Sequence, residues 1–121
     1  MDKSGFYKGK HYTMYVNDVK YLIKENKLDD AEKLLIELVN STENESKCNN
    51  YGVAPWYYER LAIIYKKKND IKSEIEILER FATQKHAPGV KPPKLLARLE
   101  KLKTRNSAKI AVNQTLKIVV Q

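Results

Sequence analysis

The sequence predicts an all-α fold built as an array of about five antiparallel helices. Apolar residues recur at steps of three and four along most of the chain, the period of an amphipathic helix. Only four Gly and four Pro interrupt the 121 residues. Hydrophobic content of 42% beside 31% charged residues suits thin layers of helix better than a thick sheet-centred core. The length fits one domain.

Residues 1–11, with Gly5 and Gly9 among lysines, read as an extended lead-in. A helix is predicted from about Tyr12 to Glu25, with Tyr12, Tyr15, Val16, Val19, Leu22 and Ile23 as its apolar stripe and Asn26 as its end. Asp29-Asp30 then stand where a helix N-terminus favours negative charge. Ala31, Leu34, Leu35, Leu38 and Val39 continue the helical period, and a polar extension free of Pro and Gly reaches about Lys47. Asn49-Asn50-Tyr51-Gly52 is a loop signal, and Pro55 suits the first turn of the next helix.

The central segment, Pro55 to Ala82, carries two amphipathic patterns back to back. Tyr58, Leu61, Ala62 and Tyr65 share one helix face; Ile71, Ile75, Leu78 and Phe81 (or Ala82) share another. Asn69 tolerates the left-handed conformation that ends a helix, and the Asp70 carboxylate can accept from the free amides that begin the next. A loop around Pro88-Gly89 leads to a fifth helix opened by Pro92-Pro93, with Leu95, Leu96, Leu99 and Leu102 on its apolar edge. The helical domain is thus expected over residues 12–104. Residues 105–121 read as a C-terminal tail. From Ser107 onward, β-branched residues favour either a strand pair turning at Asn113-Gln114 or a tail without regular structure.

The two hairpins repeat. Tyr15, Val19, Leu22, Leu28, Ala31, Leu35 and Leu38 align with Tyr58, Ala62, Tyr65, Ile71, Glu74, Leu78 and Phe81, each pair 43 positions apart. This pattern of aromatic, Leu-small, Tyr, turn, Ala and aromatic positions resembles the tetratricopeptide repeat, though the offset exceeds the usual ~34 residues. Glu74 departs from the small residue of that pattern, and Asp18 from its Leu. The segment from Gly52 to Ala82 also resembles tetratricopeptide-like modules of bacterial or phage proteins of DNA metabolism. The resemblance implies a right-handed array of two hairpins plus a capping helix, non-catalytic protein binding, and a concave groove lined by the first helix of each hairpin. Lys20, Lys24, Trp56, Glu59, Ile63, Lys66 and Lys67 would line that groove, joined by Lys94 and Arg98. The family's clamp for chaperone tails uses a Lys and an Asn four residues on; Val16 and Lys20 stand there, which argues against that specificity.

Charge is uneven. Residues 1–90 hold 15 Lys and Arg against 14 Asp and Glu, whereas residues 91–121 hold 8 against one, so most of the net +8 lies in the C-terminal quarter. A basic groove with Trp56 as anchor predicts an acidic peptide or partner helix as ligand. The alternative is a sequence-independent nucleic-acid accessory module, with the basic C-terminal segment on phosphates. An array this short also predicts a possible homodimer through an uncovered end. No P-loop, dinucleotide glycine fingerprint or HExxH occurs, and His11 and His86 are remote from one another, so neither an enzyme nor a metal or cofactor site is expected. The single Cys48 fits a reducing compartment and reads as a buried or idle thiol. With no apolar run of spanning length and no signal-peptide core, a cytoplasmic location is expected and no membrane partner.

Overall fold

The computed structural model describes residues 3–120, with side chains through Ser107. A two-stranded antiparallel hairpin, β1 (Phe6–Tyr7) and β2 (Lys10–His11), comes first. A 3-10 turn over Tyr12–Tyr15 leads into α1 (Val16–Lys24). The remaining elements are α2 (Leu28–Asn49), α3 (Pro55–Lys67), α4 (Ile71–Ala82) and α5 (Lys91–Val120). The chain is all-α with one small hairpin.

The turns between helices follow from three asparagines. Asn26, Asn50 and Asn69 all adopt positive φ, close to +58°. In the first turn the amides of Glu25, Asn26 and Lys27 donate to the carbonyls of Tyr21, Ile23 and Leu22 at 2.9, 3.0 and 2.8 Å. In the second, those of Lys68, Asn69 and Asp70 donate to Ile64, Lys66 and Tyr65 at 3.0, 3.0 and 2.9 Å. Every donor and acceptor is displaced by 43 positions, so the repeat in sequence is also a repeat of backbone bonding, each copy satisfying its last helical carbonyls in a Schellman motif. Asp70 Oδ1 accepts from the Ser73 amide at 3.1 Å, capping α4.

Consecutive helices pack on one another, and α5 lies against both α4 and α3. Val19, Ala31, Leu35, Leu38, Tyr58, Leu61, Ala62, Leu78 and Phe81 form the buried centre. Leu95 and Leu99 close it from α5. The polar part of α2 is more than an extension. Thr42 Oγ1 accepts from the Ala54 amide at 2.9 Å, and Ser46 Oγ donates to the Tyr51 carbonyl. Glu43 accepts from Tyr58 OH at 2.6 Å and from Arg80 Nε at 2.8 Å. Glu45 accepts from His11 Nε2 at 2.6 Å and Tyr12 OH at 3.1 Å. These buried and part-buried side chains clamp the N-terminal hairpin and the α3–α4 hairpin to one helix.

Three expectations are corrected. Within the expected lead-in, residues 6–11 form a hairpin, because Lys8 and Gly9 both take positive φ, as a two-residue turn between twisted strands requires. Residues 105–120 are helical rather than a tail or strand pair: α5 continues through Val120, and no Gly or Pro after Pro93 stops it. The helix penalty of β-branched residues, well under about 1 kcal/mol each, is too small to end a helix by itself. On α4 the buried stripe is Glu74, Ile77, Leu78 and Phe81, while Ile71 stays 43% exposed. Because α4 is packed between α3 and α5, two neighbours rather than one decide which side it buries.

Candidate partner-binding groove

A groove of about 670 Å³ lies between the α3–α4 turn and α5. Lys66 and Asn69 come from the end of α3 and the turn, and Ile71 and Glu74 from the first turn of α4. The facing wall is α5, with Lys94, Arg98, Lys101 and Arg105 at steps of four, three and four. That spacing holds four cations on one helix face over roughly 16 Å of rise. Ala97 and Leu102, with Ile71 opposite, give the groove an apolar floor.

Glu74 is the one acid among these lining residues, and it is already engaged. Arg98 Nε and Nη2 donate to its Oε2 at 3.0 and 2.7 Å. Glu74 is 2% exposed, so this pair also ties α4 to α5. Among the described residues, no acid pairs with Lys66, Lys94, Lys101 or Arg105. The groove therefore carries an excess of positive charge with nothing in the described chain to balance it.

The residues expected at a binding surface divide into two sets. Lys66, Lys94 and Arg98 meet in the groove. Lys20 and Lys24 are exposed on α1, whose main helical neighbour is α2, and they stand apart from it. Trp56 is half-buried, edge-on to Tyr57 at 5.0 Å and under the Arg60 guanidinium at 5.3 Å. It packs the start of α3 and does not line the groove. Glu59 accepts from Lys91 Nζ at 2.9 Å, joining α3 to the start of α5. Ile63 is half-buried and Lys67 exposed, neither in the groove wall. The run of three lysines at the end of α3 is split. Lys66 faces the groove, and Lys68 donates to Glu32 at 2.8 Å and to Asp29 on α2. Those bonds to Asp29 and Glu32 hold the Lys68 ammonium above its ordinary pKa, and hold the Asp29 carboxyl below its own.

Lys101 and Arg105 complete the stripe that Lys94 and Arg98 begin. Lys101 falls on the same basic edge of the expected fifth helix, and Arg105 was missed because that helix was ended at residue 104. His86 is a packing residue, stacked on Phe81 at 4.2 Å with Nε2–H donating to the Phe81 carbonyl at 2.6 Å. Cys48 is exposed at the end of α2. Among the described residues, no group of three His, Cys, Asp or Glu is arranged to hold a metal ion, and no helix is long and apolar enough to cross a membrane.

No family model matches the chain, and no curated protein or solved structure matches it either.

Proposed function

We propose that this chain is a tetratricopeptide-like, non-catalytic scaffold that binds an acidic segment of a partner protein in the groove between the α3–α4 turn and α5. The observation that carries the reading is the row of Lys94, Arg98, Lys101 and Arg105 facing Lys66 over an apolar floor. Carboxylates entering there meet Lys66, Lys94, Lys101 and Arg105, which no acid of the described residues engages, and apolar side chains meet Ile71 and Leu102. The 43-residue repetition of the helix-ending turns supports the repeat architecture.

A nucleic acid is the less suited ligand. Single strands are held by aromatic stacking beside basic residues. No aromatic side chain lines this groove, and Tyr12, Tyr15, Tyr57, Tyr58 and Tyr65 are buried in the core.

Fluorescence anisotropy of a labelled Asp/Glu-rich peptide, titrated with the full chain, tests the proposal. Binding is expected at low salt and falls as the Debye length shrinks to about 8 Å at 0.15 M. The double variant Lys94→Glu/Lys101→Glu weakens it by about tenfold or more, and Lys20→Glu leaves it unchanged. A labelled mixed-sequence oligonucleotide binding more tightly than the peptide would contradict the assignment.

A further inference from the structure

We infer that the groove's occupant is an amphipathic α-helix lying alongside α5, its carboxylates spaced at i, i+4, i+7 and i+11 beside a row of apolar residues. This rests on the proposed acidic-segment reading and specifies the ligand's conformation. Three features of the groove lead to it.

The first is register. Lys94, Arg98, Lys101 and Arg105 recur at helical spacing along α5. A second helix beside it has the same rise of about 1.5 Å per residue, so carboxylates at matching steps meet Lys94, Lys101 and Arg105, with Arg98, bonded to Glu74 and 27% exposed, between them. Residues on one face of an extended chain recur at about 6.8 Å and drift out of step.

The second is the absence of backbone partners. The walls are α3, α4, the turn between them and α5, with no strand among them. A strand laid in the groove would find no sheet edge to pair with, whereas a helix satisfies its own backbone.

The third is the floor. Ile71 continues the apolar period of α4 yet is 43% exposed, and it lines the groove with half-buried Leu102 and with Ala97. An apolar row on the incoming helix covers these side chains while its flanking carboxylates reach the cations.

The test compares two labelled peptides of identical composition by anisotropy at low salt. One places Glu at i, i+4, i+7 and i+11 beside a Leu row; the other scrambles that order so that no amphipathic face forms. The inference expects the patterned peptide to bind about tenfold more tightly or better, and to gain helical circular dichroism on binding. It also expects Ile71→Ala to reduce that preference. Equal binding of both peptides would overturn the helix inference and leave the acidic-segment reading standing. Failure of both to bind would overturn the two together.

Discussion

At position 74 a glutamate occupies a site where the repeat pattern expects a small side chain, and it is buried with Arg98 as its partner. A buried charge left without its partner is costly. Arg98→Ala is expected to lower the unfolding free energy by about 3 kcal/mol or more. Glu74→Ala should cost less, because the Arg98 side chain is 27% exposed and can turn into the groove's water. Urea denaturation of the two variants distinguishes them by their midpoints. Tyrosines give a second test at this scale. Burial, then the nearby Tyr12, pushes the Tyr57 phenol up to about 12; burial and then Glu32 do the same to Tyr65. Burial and Glu43 raise Tyr58 as well. A raised pKa means the folded state holds the proton more tightly than the unfolded chain, whose tyrosines titrate near pH 10. Their contribution to stability is complete below pH 10 and is lost as pH rises towards 12. Ultraviolet titration should therefore show phenolate from these residues appearing together with loss of helical circular dichroism. Full ionisation with the helices intact would refute it.

At the scale of elements, the loop before α3 is held by the loop after α4. The Val53 amide donates to the Lys85 carbonyl at 2.9 Å, and Lys85 Nζ donates to the Asn50 carbonyl at 2.8 Å. Gly52 is required because a Cβ there would overlap the backbone nitrogen of Ala87. Gly52→Ala should destabilise the fold by about 1–3 kcal/mol, read from thermal or urea unfolding. Sequence had marked residues 49–52 as a loop, but nothing in it indicated that Gly52 faces Ala87, because that contact depends on how the two hairpins stack. Local signals were otherwise well written: Asn26, Asn69, Asp70 and Pro55 end, cap or begin helices where their own stereochemistry predicts. What escaped was set by neighbours. The tilt of α4's buried side away from Ile71 depends on α5, and α5 runs past residue 104 with no local stop signal in either direction. The hairpin at Lys8-Gly9 was hidden because lysine is an uncommon first residue for a turn of that geometry.

For the whole molecule, the distribution of charge is the feature with the clearest consequence. Lys68, Arg80 and Lys91 are each spent on acids of other helices, joining α3 to α2, α4 to α2, and α5 to α3. Arg98 is spent likewise on Glu74, joining α5 to α4, whereas Lys66, Lys94, Lys101 and Arg105 have no acid partner among the described residues, so the same residue types stitch the array at one set of positions and leave unbalanced charge at another. Three of the residues that the tetratricopeptide resemblance implied, Lys66, Lys94 and Arg98, lie in that groove. Trp56, Lys20 and Lys24, which the same resemblance implied, lie outside it. The most direct test is two-dimensional amide NMR of the labelled chain during titration with an acidic peptide. The account predicts shifts concentrated at Lys66, Asn69, Ile71 and the α5 residues from Lys94 to Arg105, fading as salt is raised. Shifts centred on α1 and Trp56, with those α5 amides unmoved, would contradict it.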